Sequence, residues 1–559
     1  MEWVLGVLRH YPELAVFLVL GLGAWVGSLK VGGISLGAVT GALFVGLLVG
    51  QLEIAVSATA KSVLFMLFLV GNGYSIGPQF FRSLRGDGLR HLALAVFQAV
   101  VGLAAAVAVA SALGLDVGLA AGLLSGALTQ SPAIGTASEA IMALPLPEAE
   151  RERLVGHVAI GDALCYVFGT FGTIWFLSRY APRFLKVDVA AESRALEEEL
   201  GVARDRVGLL SGYQAFALRA HRLDNVEFAG KTAADVEARF ASQRLYIGRI
   251  RRGAEIIDAA PDMVLAAGDV LSLGGRRAVV MECGAQIGPE VDDRDLLDMP
   301  VTALTVIAVH RDFVGRRLDE LATRHETRGI FLRKLTRLGQ KIPVLPGTEV
   351  QRGDKLELIG PASAVERIAA RIGRADRGGV GSDVMALGLA VVVGGFIGAP
   401  YFLAGEFRIG LGTSVGALLA GIALGWIHSH RPSFGRVPEA ASALMISLGL
   451  AGFVGMTGMQ AGPHFLTAIH ESGLSLLLGG VVVTLVPLAA ALYFGRRVLR
   501  LRPILLLGAC AGAQTQTPAL AAIQDQADSR IAVLGYTVPY AIGQILLTAS
   551  GSVIVGILG

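Results

Sequence analysis

Two short strings of hydroxyl, amide and proline residues recur in this chain, each inside a long apolar stretch. The first begins at Thr129 and the second begins 386 residues later, at Thr515. A proline in a helix frees a backbone carbonyl, and the half-helix that follows presents unpaired N–H groups at its positive end. Hydroxyls and amides there can bind a carboxylate without a fixed cation, and neither string contains Lys or Arg. The candidate substrate-binding residues of the two strings are Thr129, Gln130, Ser131, Pro132, Ala133, Thr515, Gln516, Thr517, Pro518 and Ala519.

The alternative is a pair of structural kinks whose Ser and Thr side chains satisfy the freed backbone. The recurrence of the string in both halves favours the substrate-binding role over the structural one. Lipid tolerates a broken helix only where protein or a water-filled cavity surrounds it. Paired breaks in two halves of a membrane protein indicate the substrate site of a transporter.

Other polar residues of the apolar segments are further candidates. Asp162 and Tyr166 share one helix face, and an acid inside the membrane is a candidate for binding a proton or a substrate ammonium. The alternative for Asp162 is a solvated position near a helix end. Asn72 and Tyr74 precede Gly77-Pro78 in the sequence. Two interpretations are open: Asn72 and Tyr74 line a polar path, or Gly77-Pro78 ends a helix at the membrane surface. The candidates of this second group are Asn72, Tyr74, Asp162, Tyr166, Tyr540 and Gln544.

The composition is that of a membrane protein. Of the 559 residues, 53% are hydrophobic and 17% are charged, whereas soluble chains carry about 25% charged residues. The net charge of +3 is too small to argue for nucleic acid. The three cysteines, Cys165, Cys283 and Cys510, have no metal-ligand spacing, and we expect neither a metal nor a cofactor. No small-residue cleavage pattern follows the first residues, so we expect the N-terminus to be retained.

Two blocks of apolar segments flank a polar centre and align with each other. Glycines recur in the same order in both blocks, for example Gly37 with Gly412 and Gly73 with Gly458. An ordered set of matches indicates an internal repeat. The predicted segments are 12–29, 34–51, 58–78, 91–114, 116–140 and 155–178 in the first block, and 382–400, 408–427, 438–458, 473–494, 503–527 and 531–558 in the second.

Loops at equivalent positions differ in charge. The loop 82–90 is basic, but its partner 468–472 has no Lys or Arg; 495–502 is basic, but its partner 113–116 is not. Because Lys and Arg accumulate in short cytoplasmic loops, the two halves are predicted to be inverted repeats. With about five spanning helices and one broken or re-entrant element in each half, both termini lie outside and the centre lies in the cytoplasm.

The sequence pattern of the polar centre predicts two small α/β domains. Each has a short apolar strand, a helix, and a Gly-Asp turn into an alternating strand, the turns being Gly268-Asp269 and Gly353-Asp354. The predicted fold is an α-helical polytopic membrane protein with these two cytoplasmic domains inserted between its halves. Its parts are a first transmembrane repeat 1–180, a linker 181–202 with a helix over 185–199, soluble domains 203–290 and 295–374, and a second transmembrane repeat 380–559.

The segment Gly73–Phe81, the two Thr-Gln-[Ser/Thr]-Pro-Ala strings and this arrangement of parts resemble the aspartate:alanine exchanger family of bacterial antiporters. The soluble domains resemble the C-terminal RCK (TrkA-C) domains of potassium-transport proteins. The resemblance implies exchange of small amino acids or dicarboxylates, most simply aspartate for alanine, across the bacterial inner membrane. We expect a homodimer formed through the transmembrane scaffold. RCK-type domains often bind a small regulatory ligand, and the alternative for these two domains is a module for dimerisation and rigidity.

Two rival functions stay open at this point. Some relatives of the family export succinate, so a dicarboxylate exporter with the same fold is the first rival. The RCK-like domains suggest an ion channel, but the chain lacks a filter string such as Thr-Val-Gly-Tyr-Gly. We expect no enzyme activity, because the apolar halves show neither a nucleophile–base pair nor a metal cluster.

Overall fold

A computed structural model describes residues 2–31, 34–35, 37–83, 88–200, 216–240, 244–337, 340–375, 381–404, 407–410, 412–431 and 434–559. The tip of the predicted basic loop 82–90 and the predicted start of the first soluble domain at 203 lie outside the described residues. The chain forms two compact units, one made of Met1–Leu196 with Gly379–Gly559 and the other of Glu197–Gly378.

In the first half of the membrane unit, the described regular elements are helices and one two-stranded hairpin. Its helices are α1 Glu2–His10, α2 Pro12–Ser28, α3 Ala38–Gly50, α4 Ala58–Ser83, α5 Gly88–Leu113, α6 Val117–Ala127, α7 Pro132–Met142 and α8 Glu148–Trp175; a π-helical turn Phe176–Tyr180, α9 Ala181–Leu185 and α10 Val189–Leu200 follow. The hairpin strands, β1 Lys30–Val31 and β2 Ile34–Ser35, lie between α2 and α3.

The unit Glu197–Gly378 contains two modules in which strands and helices follow in the same order. The first module comprises β3 Phe216–Arg222, α11 Ala233–Arg239, β4 Tyr246–Arg252, β5 Glu255–Asp258, β6 Val270–Arg276 and α12 Arg277–Ile287. After α13 Arg294–Leu297, the second comprises β7 Val301–Ala308, α14 Leu318–Ala322, a 3₁₀ turn His325–Thr327, β8 Phe331–Arg337, β9 Gln340–Ile342, β10 Lys355–Pro361, α15 Ala362–Ile372 and β11 Gly373–Ala375. The sheet orders, β3-β6-β4-β5 and β11-β7-β10-β8-β9, are the same apart from the added edge strand β11.

The second half of the membrane unit repeats the element order of the first from α2 onward, with the single helix α18 in place of α4 and α5. It consists of α16 Val384–Gly398, the hairpin β12 Tyr401–Ala404 and β13 Phe407–Gly410, α17 Gly412–His430, α18 Glu439–Arg497, α19 Pro503–Ala513, α20 Thr517–Ala527 and α21 Val533–Leu558. As in the first half, the hairpin lies between the first and second long helices of the set.

Seven stretches of the described helices are long and apolar enough to cross a bilayer, and α1 with α2 adds a pair bent by 106°. The protein is therefore a multi-pass membrane protein. The seven stretches are Ala58–Pro78, Gly88–Leu113, Glu148–Leu185, Gly412–His430, Glu439–His470, Gly473–Arg497 and Val533–Leu558.

Two predicted features take a different form in the structure. The segment predicted as 34–51 is a 13-residue helix, α3, because the hairpin occupies its start. The loop predicted at 468–472 is helical, so α18 runs for 59 residues. The residues Ala468 to Ser472 include neither Gly nor Pro, so nothing in them obliges the helix to end.

The two halves of the membrane unit interleave. Helix α3 of the first half packs against α18, and α17 of the second half packs against α4. Repeat-related glycines allow these close approaches: a Cβ atom at Gly458 of α18 would lie 2.7 Å from the carbonyl oxygen of Leu43, and one at Gly73 of α4 would collide with that of Leu418. Each half therefore completes the packing of the other.

In each of the two modules, the aspartate of the Gly-Asp turn forms an ion pair with an arginine. Asp354 is fully buried and pairs with Arg337 at 2.7 Å, while it also accepts a hydrogen bond from the backbone of Gln351. In the first module Asp269 pairs with Arg252 at 2.7 Å, but the Arg252 side chain is 46% exposed. The glycines of both turns, Gly268 and Gly353, have positive φ, which explains the residue type.

We predict that Asp354→Ala destabilises the second module by about 3–5 kcal/mol, because it leaves the Arg337 charge buried without its partner. Asp269→Ala is the matched control and should cost less, since water reaches Arg252. Hydrogen exchange in the full-length protein measures the difference, on the β8 and β10 peptides for Asp354→Ala and on the β4 and β6 peptides for Asp269→Ala. Equal loss of protection in the two variants would contradict this account.

Candidate functional site

Each of the two Thr-Gln-[Ser/Thr]-Pro-Ala strings lies at a break between two 11-residue helices. The first break separates α6 from α7, and the second separates α19 from α20. A helix of this length spans about 16 Å, roughly half the apolar thickness of a bilayer. The prolines do not kink a helix interior, which was the alternative to a functional break. They stand in the first two positions of α7 and α20, where a missing N–H costs little.

Both breaks use the same unusual backbone conformation. Thr129 has φ +55° and Thr515 has φ +57°, a left-handed conformation that is strained for a β-branched residue. In each break the next amide closes a hydrogen bond five residues back, Gln130 to Ser125 at 2.7 Å and Gln516 to Ala511 at 2.9 Å. This is a Schellman cap with threonine at the position that glycine usually occupies.

The two breaks lie in direct contact. The Thr515 hydroxyl donates to Oε1 of Gln130 at 2.9 Å. The amide nitrogen of Gln130 donates in turn to Gln544 and to Thr548, each at 2.9 Å. Residues 385 positions apart in the sequence therefore share one hydrogen-bond network, centred on an amide that is 1% exposed.

Further amides extend this network. Gln544 accepts from Asn72 at 3.4 Å and donates to the hydroxyl of Tyr540 at 3.3 Å. Next to it, Gln98 of α5 donates to Gln514 at 2.8 Å. Gln98, Gln514 and Thr548 were not among the predicted site residues, although a glutamine inside the apolar helix α5 is a signal of a polar role.

Asp162 lies beside the first break. Its side chain is fully buried, and the hydroxyls of Ser125 and Ser131 lie near it. Neither carboxyl oxygen has a partner with full hydrogen-bond geometry among the described residues. Helices α6 and α8 approach each other closely here because residue 126 is glycine. A Cβ atom at Gly126 would lie 2.5 Å from the carbonyl oxygen of Asp162.

In the second half, Tyr536 takes the place of Asp162. Its carbonyl oxygen lies against Gly512, as that of Asp162 lies against Gly126. The buried hydroxyl of Tyr536 shares a hydrogen bond of 2.9 Å with Thr517. The two breaks therefore have the same backbone frame but different chemistry, an acid on one side and a phenol on the other.

The other candidates are placed less centrally. Tyr74 accepts a hydrogen bond from the backbone of Val437 and packs beside His428, so its described contacts are not with the breaks. Tyr166 is half-buried and lies near Thr40 and Thr170. Ala133 and Ala519 are fully buried and line the starts of α7 and α20. No group of three His, Cys, Asp or Glu residues that could hold a metal occurs in the described ranges.

A multi-pass helical fold with two contacting helix breaks defines a protein of the membrane-transport class. The family model described as "Predicted Permease Membrane Region", that of the aspartate–alanine exchangers, matches residues 15–181 and 386–556. The chain belongs to the aspartate–alanine exchanger family.

Curated relatives resemble the chain over nearly its whole length. An uncharacterized transporter of Bradyrhizobium diazoefficiens is 47% identical over 92% of this chain and 100% of its own length. One of Bordetella bronchiseptica is 40% identical over 99% and 98%, and one of Shewanella oneidensis is 37% identical over 100% of both chains. No solved structure matches the chain.

We predict that Gln130→Ala lowers the stability of the membrane unit by about 1–3 kcal/mol, because it leaves Thr515 and Thr548 without their amide partner. Gln516→Ala should cost less, since the buried Oε1 atom of Gln516 has no partner to lose. With Cys283 replaced by Ser, a thiol-reactive dye that detects exposure of buried Cys165 and Cys510 on heating measures both. The reverse ranking would show that the contact between the breaks carries no stability.

Proposed function

We propose that the protein is a secondary antiporter that exchanges small amino acids, aspartate for alanine, by alternating access. The observation that carries the proposal is the hydrogen bond between Thr515 and Gln130, because it joins the two breaks at one place inside the protein. Membership of the exchanger family supports the same substrates.

The chemistry around the breaks suits a zwitterion. Hydroxyls, amides and the N-termini of α7 and α20 offer hydrogen bonds to carboxylates. Asp162 offers a buried carboxyl group to an ammonium group, and neither of its oxygens has a partner with full hydrogen-bond geometry among the described residues. Gln516 adds a second buried acceptor of this kind. A site with both characters fits an amino acid better than it fits a dicarboxylate.

Dicarboxylate export is the second candidate, and the observation that favours it is the recurrence of carboxylate-binding hydroxyls and amides in both strings. Succinate would use the same hydroxyls and amides through its two carboxylates. It has no ammonium group, however, so a charged Asp162 would repel it. The role of Asp162 therefore separates the two functions.

The proposal includes an inverted repeat in the bacterial inner membrane, with both termini outside and the central domains in the cytoplasm. The repeated element order and the reciprocal packing of α3 on α18 and α17 on α4 support it. We also propose a homodimer and a regulatory or dimerising role for the RCK-like modules, on the strength of the sequence resemblance alone.

The first test is counterflow in proteoliposomes loaded with aspartate, alanine, succinate or malate. We expect exchange of aspartate for alanine with movement of one net charge per cycle, which at ~100 mV is worth about 2.3 kcal/mol. A voltage-sensitive dye records that charge. Succinate and malate counterflow without aspartate counterflow would replace the amino-acid proposal with the dicarboxylate one.

The second test is Asp162→Asn, which keeps the shape of the side chain and removes its charge. We expect at least a tenfold loss of aspartate and alanine exchange, because the ammonium group loses its counter-charge. Gln130→Ala and Gln516→Ala should also reduce uptake while leaving membrane insertion intact. Asp528→Asn is the matched control, since Asp528 is exposed and asparagine tolerates its positive φ.

Normal amino-acid exchange by Asp162→Asn would remove the carboxylate from the site. A gain of succinate transport in the same variant would assign to Asp162 the selection of amino acids against dicarboxylates.

A further inference from the structure

One acidic residue of α7 closes a contact between the two halves of the membrane unit. Oε1 of Glu139 accepts hydrogen bonds from the backbone N–H and the hydroxyl of Thr413, both at 2.6 Å, and Oε2 accepts one from the backbone of Ser414 at 3.2 Å. These groups form the N-terminus of α17. A carboxylate there satisfies unpaired N–H groups and meets the positive end of the helix dipole.

The equivalent contact of the second half is not formed. At the 386-residue spacing of the two breaks, Glu139 corresponds to Asp525 of α20, and the N-terminus of α17 corresponds to that of α3. A Cβ atom at Gly412, before α17, would lie 3.0 Å from the Glu139 carboxylate, whereas one at Gly37, before α3, would meet no described atom within 4 Å. Within the described residues, no side chain caps the N-terminus of α3.

Asp525 lies instead on a cleft, which we call the α20 cleft. The Asp525 residue is exposed, and the cleft has a volume of about 870 Å³. Residues of α20 face the chain from the end of α8 to the start of α10, where three basic side chains can balance the charge of Asp525. The lining residues are Ser178, Arg179, Pro182, Arg183, Lys186, Val187, Asp188, Val189, Ala522, Asp525 and Gln526.

The second break is also more exposed than the first. Ser131 and every residue of Pro132–Ser138 are buried, whereas Thr517 and Pro518 at the equivalent turn are exposed. Helix α7 packs extensively on α21, but α20 makes only slight contact with α8. The structure is therefore closed around α7 and open around α20.

We propose that Glu139 on the N-terminus of α17 is a closed gate, and that Asp525 forms the corresponding gate on the N-terminus of α3 in the opposite state. This inference depends on the inverted repeat and alternating access of the proposed function, since inversion places the two gates on opposite sides of the membrane. The α20 cleft is then the open entrance to the breaks. Exchange of the two contacts moves access from one side to the other.

The two gates differ in strength. Thr413 supplies a hydroxyl in addition to its N–H, whereas the equivalent positions of α3 are Ala38 and Val39, which supply N–H groups alone. The Asp525 gate therefore has fewer donors, and the state with the α20 cleft open is favoured without substrate.

Single cysteines at repeat-related positions report the two states. Ala140→Cys lies beside the Glu139 gate, and Gln526→Cys lines the α20 cleft, both in a background with Cys165, Cys283 and Cys510 replaced by Ala. The probe is a bulky maleimide applied to the detergent-solubilised, substrate-free protein. We expect Gln526→Cys to be labelled faster than Ala140→Cys in the parent background.

Glu139→Ala should raise the labelling rate at position 140 and lower it at position 526, each on the order of tenfold, because charged hydrogen bonds to α17 are lost. Thr413→Val keeps the carboxylate and should give a smaller shift in the same direction. Glu148→Gln, at an exposed carboxylate, is the matched control. Size-exclusion chromatography checks that each variant is folded.

Unchanged rates in both Glu139→Ala and Thr413→Val would overturn the gate, and so would a rise at both positions, which indicates general loosening. The labelling needs no substrate. A reciprocal shift without aspartate–alanine exchange would therefore retain the gate and reject only the proposed substrates.

Discussion

The hydrogen bond between the Thr515 hydroxyl and the Gln130 amide joins two interrupted helices inside the membrane unit. Each interruption exposes backbone groups that lipid cannot satisfy. Within each break a Schellman cap pairs some of these groups, and between the breaks the side chains of Gln130, Thr515, Gln544 and Thr548 pair with one another. The polar interior therefore exists because the two breaks meet, and neither would be stable in lipid alone.

A strained backbone is part of this arrangement. Thr129 and Thr515 both hold a left-handed conformation that glycine would adopt at no cost. Threonine supplies what glycine lacks, a hydroxyl at the point where the two breaks approach each other. The conformational cost of about 1–3 kcal/mol per residue is thus offset by hydrogen bonds that only a side chain can make, and strain of this kind clusters at functional sites.

The two halves of the membrane unit have similar backbones at the breaks but differ in burial and in side-chain contacts. They have the same order of helices and the same backbone turns at the breaks, yet one break is buried and the other is partly exposed. Glu139 is bonded to α17, while Asp525 lies on an open cleft. Chemistry also differs between the halves, with Asp162 opposite Tyr536.

The sequence by itself determined the family, the long apolar helices and the repeated Thr-Gln-[Ser/Thr]-Pro-Ala strings, because hydrophobic length, glycine order and proline position are local properties of the chain. It also indicated that the Gly-Asp turns of the soluble modules lead into strands. It left open whether the prolines start or kink a helix, since both have the same local pattern, and the structure places them at the starts of α7 and α20. Only the tertiary structure decided that Gln98, Gln514 and Thr548 join the network and that Tyr74 contacts Val437, because these contacts join residues hundreds of positions apart. The sequence also could not show that Glu139 is bonded to α17 while Asp525 lies on an open cleft. The two carboxylates occupy equivalent positions of the repeat, and they differ only in the groups that the fold brings next to them.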